Sequence, residues 1–182
     1  MDQPISLDTV VGFLVTTPLF DGLDPAERAE VVRIMEVEQR SDGEYVFHEG
    51  DPGEAWYVIY DGRVRVLKAA HSGTWQIKFL ERGDCFGEMA ILDGETRSAS
   101  VQAAGPLTVF RFRRARFEQL LDQGSLGAFK LVLGMARMLS RRHRELTQRL
   151  AEIKEPVAAA SSATHLGPPV ARNSIADYQI SE

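Results

Sequence analysis

Residues 45–112 contain short apolar or alternating segments separated by turn signals, and this pattern limits the folds open to the chain. Glycine, proline and aspartate mark the turns, as in Asp61-Gly62 and Gly105-Pro106. Six segments have the composition of strands: Tyr45–Phe47, Trp56–Tyr60, Val64–Lys68, Trp75–Leu80, Ala99–Ala103 and Leu107–Phe112. Many short strands at regular spacing favour an antiparallel β jelly roll over an α/β fold. We therefore expect a mainly β protein with flanking helices.

The residues before this region predict two helices. Ser6–Thr17 is mostly apolar and predicts a short helix that packs as an arm. Asp24-Pro25-Ala26-Glu27 places an acid at the N-cap, proline at the first helical position and an acid three residues after the cap. The second helix is expected to run to about Glu36 and to bury Val31, Val32 and Met35.

Two further helices are predicted after the strands, Arg114–Gln123 and then, after Gly124, a long helix that Ser125 caps and that runs to about Glu155. In the long helix a row of residues follows a heptad pattern: Phe129, Val132, Ala136, Leu139, His143, Leu146, Leu150 and Ile153. We call this row the seam. It favours a parallel homodimer through the helix, and the alternative is a helix that packs only on its own roll. Several charged residues are expected beyond the reach of a small roll: Arg141, Arg142, Arg144, Glu145, Arg149 and Glu152.

Residues 156–182 are rich in alanine, serine and proline and predict a disordered tail. The chain is therefore expected to comprise an arm (1–17), a roll with flanking helices (18–123), a long helix (124–155) and the tail.

The candidate ligand site lies in residues 86–101. Phe86-Gly87-Glu88-Met89-Ala90 predicts a short helical turn whose free backbone N–H groups can approach a phosphate. Arg97 offers a fork-shaped cation that matches two phosphate oxygens, and Glu88 offers an acceptor for a sugar hydroxyl. The alternative is an internal Glu88–Arg97 ion pair in a roll that has lost its ligand, although such a buried pair is a poor source of stability.

Phe86–Ala90, followed after six residues by Arg97-Ser98-Ala99-Ser100-Val101, resembles the phosphate-binding cassette of cyclic nucleotide-binding domains. This family includes bacterial catabolite activators and protein kinase A regulatory subunits. The resemblance implies that Glu88 binds the ribose 2′-hydroxyl and that Arg97 binds the cyclic phosphate. It also implies that backbone amides around Met89, Ala90 and Ala99 complete the cradle.

Two earlier segments, Leu19–Leu23 and Glu49–Gly53, also match the family, and the glycines of the second are expected to hold tight turns. Bacterial cyclic AMP receptors often carry serine after the arginine, whereas members that prefer cyclic GMP often carry threonine. Ser98 therefore favours cyclic AMP as the ligand, with cyclic GMP as the alternative, and no other cofactor is expected.

The resemblance also bears on the long helix, which in the family mediates dimerisation and folds over the purine. Met135, Met138 or Leu139 could cover the base here. Catabolite activators carry a winged helix-turn-helix after this helix, a module that needs at least ~50 residues. The residues after Pro156 are too few, so we expect no direct DNA binding and a protein partner instead.

Composition excludes several classes of function. The net charge of −5 gives no general attraction to nucleic acid or to an anionic membrane. No apolar run approaches the roughly 18 residues of a membrane span, and the single cysteine, Cys85, fits a reducing, cytoplasmic compartment.

Two sets of charged or titratable residues could suggest other sites. The four histidines lack metal-ligand spacing, which argues against a metal-dependent enzyme of similar roll shape: His48, His71, His143 and His165. A basic cluster could touch nucleic acid, but solvated side chains pointing outward from a strand and helix are favoured: Arg111, Arg113, Arg114 and Arg116.

The sequence thus favours a cyclic nucleotide sensor without catalytic activity, which couples ligand binding to a helix movement and to a dimer or partner surface. A ligand-free jelly-roll scaffold that assembles through the long helix is the alternative, and a roll-shaped enzyme is the third possibility.

Overall fold

The computed structural model describes residues 5–153. Its strands are β1 (Met35–Arg40), β2 (Tyr45–Phe47), β3 (Ala55–Asp61), β4 (Arg63–Ala70), β5 (Gly73–Glu81), β6 (Cys85–Phe86), β7 (Ser100–Ala103) and β8 (Leu107–Arg113). Its helices are α1 (Leu7–Val15), α2 (Pro25–Val32), α3 (Met89–Asp93), α4 (Arg114–Asp122) and α5 (Leu126–Ile153), with a 3-10 turn at Pro18–Phe20. The prediction of a mainly β protein with flanking helices is confirmed.

Two four-stranded antiparallel sheets form the roll. The strand orders are β1-β8-β3-β6 and β2-β7-β4-β5, so strands distant in sequence pair within each sheet. All six predicted strands are present, within one or two residues at each end. The six predicted segments included neither β1 nor the short β6, and the predicted second helix was too long. α2 ends at Val32, and Met35 begins β1 instead, where it pairs with Phe112.

Alternation along β3 separates two apolar cores. Trp56 and Val58 face the helices, whereas Tyr57 and Ile59 face the space between the two sheets, because successive strand residues point to opposite sides. The helix-facing core includes buried side chains from α1, α2, α4 and α5, and the inter-sheet core includes Phe86 at the start of the cassette. The cassette is therefore fixed directly to the interior of the roll.

The helix caps follow the sequence signals. Asp24 and Glu27 form a reciprocal capping box at the start of α2, and Ser125 Oγ accepts a 3.2 Å hydrogen bond from the Ala128 N–H at the start of α5. α2 is tied to α5 by an ion pair of 2.7 Å between Glu27 and Lys130. These contacts fix the start of α5 beside α2.

The chain divides into two compact units, Met1–Arg144 and Glu145–Glu182. The first contains both sheets and α1–α4. The described part of the second is the last turns of α5, where Leu146 and Leu150 are exposed. The predicted tail lies outside the described residues, and the proposed domain division stays a prediction.

Within residues 5–153, no helix is long and apolar enough to cross a membrane. The same residues contain no cluster of three or more histidine, cysteine or acidic side chains that could hold a metal ion.

Candidate functional site

The structure brings the two halves of the cassette together at one end of the roll. Glu88 precedes α3 and Arg97 precedes β7, and both side chains are buried, with 3% and 4% exposure. Charged side chains are almost never fully buried unless they are paired. Their burial so close together marks this place as the candidate ligand site.

Backbone carbonyls and an aromatic ring hold the Arg97 side chain. Nη1 donates to the Gly87 carbonyl at 2.8 Å and Nη2 to the Ala55 carbonyl at 2.6 Å, while the guanidinium carbon lies 4.1 Å from the centre of the Phe47 ring. Nε is buried and has no hydrogen-bond partner among the described residues. A guanidinium has five N–H groups, so Arg97 retains donors for an anionic ligand. Burial lowers the pKa of this guanidinium, and a bound anion would offset that cost.

The turn Glu49–Gly53 fixes the Arg97 backbone. The Gly50 N–H donates to the Arg97 carbonyl and the Arg97 N–H donates to the Asp51 carbonyl, both at 2.9 Å. The Ser98 carbonyl accepts a 2.8 Å hydrogen bond from Lys68, which also pairs with Glu49 at 2.7 Å. The turn predicted to be structural thus sets the position of the arginine.

Close backbone approaches require two glycines here. Gly87 has φ +76°, and a β-carbon on it would lie 2.8 Å from Arg97 Nη1. A β-carbon on Gly53 would lie 2.4 Å from the Ala90 β-carbon. Gly53 therefore lets the turn pack directly against α3, a role that the sequence pattern did not specify.

The remaining predicted site residues surround this pair. The Phe86 ring stacks on Tyr57 with centroids 5.1 Å apart, so it anchors the cassette from within the inter-sheet core. Met89 is exposed, and its sulfur lies 3.8 Å from the Ser98 hydroxyl. Ala90 is buried and Ala99 is half-buried. These residues are brought together in space, and their ligand contacts stay predictions.

Glu88 is paired with a residue that the sequence pattern placed elsewhere. Arg142 Nη1 donates to Glu88 Oε1 at 2.9 Å, and Nη2 donates to the Cys85 carbonyl at 2.9 Å. The expectation that Arg142 lies beyond the reach of the roll is wrong. Burial raises the pKa of the Glu88 carboxyl, and the Arg142 charge acts in the opposite direction.

Arg142 reaches Glu88 because it lies on the side of α5 that packs against the roll. Ala128, Leu131 and Met135 are fully buried against the helix-facing core, and Arg142 follows Met135 by two helical turns. This spacing is the signal that could have identified Arg142. Met135 is excluded as a residue that could cover the base, because its side chain is buried in the helix-facing core. Met138 packs partly against the same core.

Acidic residues compensate the basic cluster around β8. Arg113 lies 2.7 Å from Glu36, and Arg114 lies 2.7 Å from Glu118. Arg111 faces Glu38 at 3.6 Å. This pairing supports the interpretation of these arginines as surface charges.

Comparison with known proteins agrees with the geometry. Residues 37–124 match the family model of the cyclic nucleotide-binding domain. The match includes both halves of the cassette, so this part of the chain is similar to cyclic nucleotide-binding domains.

The chain is also similar to regulatory subunits and to solved structures. Over 109 residues the chain is 38% identical to a cAMP-dependent protein kinase regulatory subunit of Emericella nidulans, covering 60% of this chain and 26% of that subunit. A cyclic nucleotide-binding domain from Methylobacillus flagellatus superimposes with a TM-score of 0.71 at 26% identity, covering 81% of this chain and 83% of that one. The Thermus thermophilus catabolite activator protein superimposes with a TM-score of 0.65 at 29% identity, covering 75% of this chain and 62% of that one. The chain spans about a quarter of the length of the curated relative.

Neither the described residues nor these matches give evidence of a DNA-binding domain.

Proposed function

We propose that this chain is a cyclic nucleotide sensor, with cyclic AMP as its ligand. The observation that carries the proposal is the buried Arg97, whose Nε lacks a partner among the described residues and whose guanidinium is held toward the cassette by two carbonyls. An unpartnered buried donor is costly, and a phosphate oxygen would satisfy it. The relatives named as cAMP-dependent regulatory subunits support the choice of ligand.

In the bound state, the cyclic phosphate docks on Arg97 and on the backbone amides around Met89, Ala90 and Ala99. The ribose 2′-hydroxyl donates to Glu88, and Phe86 and Gly87 hold the turn in shape. Ser98 and Met89 lie beside the sugar and base. No bond is made or broken, so the domain acts as a regulatory module rather than an enzyme, and the same proposal places it in the cytoplasm.

The proposal includes a homodimer through α5. Phe129, Leu146 and Leu150 of the seam are each more than half exposed. On the same helix, Leu131 and Met135 are fully buried in the helix-facing core, and Val132 of the seam packs partly against that core. Ligand binding would move α5 and alter this dimer or a protein-partner surface, by no more than the ligand's difference in affinity for the two states.

Isothermal titration calorimetry with cyclic AMP and cyclic GMP tests the proposal. We expect saturable one-site binding, tighter for cyclic AMP, that is lost in Arg97→Ala. Arg116→Ala is the matched control, since Arg116 is an exposed arginine on α4. Binding that survives Arg97→Ala, or no binding by the folded wild type, would contradict the proposal. The second result would favour a ligand-free scaffold.

A further inference from the structure

The outer half of the β4–β5 hairpin, which comprises residues 63–81, exposes large apolar side chains. Val64 and Leu80 fix the base of the hairpin in the inter-sheet core, whereas residues 68–79 are all exposed. Three large side chains of β5 are 61%, 54% and 42% exposed, in chain order: Trp75, Ile77 and Phe79. Exposed apolar residues that cluster, unlike single scattered ones, mark interaction surfaces.

β5 is also the edge strand of its sheet. In the order β2-β7-β4-β5 it pairs only with β4 among the described residues, so one side of its backbone is open. The register of the two strands shifts between Val66 and Leu67, and Ile77 has no partner on β4. An open edge can accept an extended peptide as a further strand. Backbone hydrogen bonds then supply affinity, and side chains beside the edge supply specificity.

Charge determines which partner suits this edge. The hairpin has four cationic residues and one acid, a local formal charge of +3 in a chain with a net charge of −5: Arg63, Arg65, Lys68, Lys78 and Glu81. The Arg63 guanidinium lies 5.0 Å from the centre of the Phe79 ring, so a cation directly adjoins the apolar side chains. Two copies of this edge would place like charges opposite each other, which destabilises strand pairing. An acidic strand would be attracted instead.

The tip of the hairpin is polar, which favours a peptide over a lipid surface as the partner. His71 and Ser72 connect the two strands, and Trp75 Nε1 donates to Ser72 Oγ at 3.1 Å. A segment that binds at a membrane interface buries its apolar side chains in the acyl boundary. Here the polar residues would have to enter the lipid first, while the apolar side chains lie along the open edge.

From these observations we infer that β5 is a docking edge for an extended, acidic segment of a partner protein, with apolar residues at alternate positions. The segment adds to the sheet beside β5. Its apolar side chains pack on Trp75, Ile77 and Phe79, and its carboxylates face the cations of the hairpin. This docking does not require a bound nucleotide, so it goes beyond the proposed function.

Fluorescence anisotropy with a short labelled peptide of alternating glutamate and valine tests the inference on the full chain. We expect saturable binding that is at least about tenfold tighter than that of the same peptide with lysine in place of glutamate. The affinity should fall as the salt concentration rises, because the attracting charges are exposed. A version with a central proline should also bind at least about tenfold more weakly, since proline lacks the N–H that a strand donates.

The double variant Trp75→Ser/Ile77→Ser should bind the glutamate peptide at least about tenfold more weakly than the wild type. Val37→Ser is the matched control, because Val37 is 48% exposed on β1, the edge strand of the other sheet. Circular dichroism confirms folding of each variant. Arg65→Gln keeps the apolar side chains and should reduce both affinity and salt dependence, so it provides the measurement if the double variant does not fold. Arg97→Ala should bind the peptide as the wild type does, which separates this test from that of the proposed function.

The absence of saturable binding, an equal affinity for the lysine peptide, or full binding by the double variant would overturn the inference and leave the proposed function intact. Two further results would overturn it by assigning the edge to another occupant. One is binding of the wild type to phosphatidylserine vesicles that the double variant loses. The other is a wild-type dimer that the double variant dissociates.

Discussion

A β-carbon on Gly87 would lie 2.8 Å from Nη1 of Arg97, so the absence of a side chain at one position allows the arginine to occupy its buried place. Nη1 also donates to the Gly87 carbonyl. The same residue therefore provides space for the guanidinium and one of its acceptors. This relationship explains physically why glycine precedes the acid in the cassette.

Gly87→Ala is expected to weaken nucleotide binding and to destabilise the domain. The positive φ of +76° costs a residue with a side chain about 1–3 kcal/mol, and the new methyl group displaces Arg97. Gly43→Ala is the matched control, because Gly43 has φ +79° and no atom within 4 Å of the place that a β-carbon would take. Chemical denaturation should show a loss of stability in both variants, and calorimetry should show a loss of affinity in Gly87→Ala alone. Equal affinities in the two variants would refute this role of Gly87.

Gly53→Ala is expected to disturb the cassette, although Gly53 lies in the neighbouring turn and not in the cassette itself. The added methyl group would lie 2.4 Å from the Ala90 β-carbon, which forces α3 or the preceding turn to shift. Overpacking of this kind costs about 1–3 kcal/mol. Gly22→Ala is a suitable control, since nothing lies within 4 Å there. We expect a lower melting temperature and weaker cyclic AMP binding than in the control, and wild-type behaviour in both assays would show that the contact is not needed.

The pH dependence of stability should reveal the buried Glu88. Burial raises its pKa in the folded state above the ordinary value of 4.5, so the folded protein retains a proton that the unfolded chain releases. The contribution of Glu88 to stability is thus fully present below about pH 4.5 and is lost as the pH rises through the higher folded-state value. Relative to Glu88→Gln, the wild type should lose free energy of unfolding across that window in urea titrations between about pH 4 and 8. A relative gain with rising pH would contradict a raised pKa of Glu88 in the folded protein.

The seam on α5 predicts the oligomeric state. The double variant Leu146→Asp/Leu150→Asp should be a monomer where the wild type is a dimer, because negative charges would face each other across the seam. Sedimentation velocity at micromolar concentration measures the difference. Leu133→Asp is the control, since Leu133 is 50% exposed but lies off the seam. A monomeric wild type, or dissociation by the control alone, would count against dimerisation through the seam.

Much of the fold follows from local sequence signals, since turn residues and alternation predicted six strands, and capping residues predicted the starts of α2 and α5. The end of α2 was misplaced because Met35 and Val37 continue an apolar pattern that suits either a helix or a strand. Pairing with β8 decides between them, and that partner lies more than 70 residues later. β6 has only two residues, which is too short for any periodicity to appear.

The composition of the candidate site was predictable from the cassette, whereas the partner of Glu88 was not. The sequence suggested either a ligand or Arg97 as that partner, and the structure pairs Glu88 with Arg142 from α5. Long-range ion pairs depend on the rotation of a helix about its axis. That rotation is set here by the buried row Ala128, Leu131 and Met135.

Thermal unfolding with and without about 1 mM cyclic AMP tests the central claim most directly. At about 100 times its dissociation constant a ligand adds about 2.7 kcal/mol, which raises the melting temperature by several degrees. We predict this rise in the wild type, a smaller one with cyclic GMP, and none with either nucleotide in Arg97→Ala. An unchanged melting temperature in the folded wild type, or an equal rise in Arg97→Ala, would contradict the account.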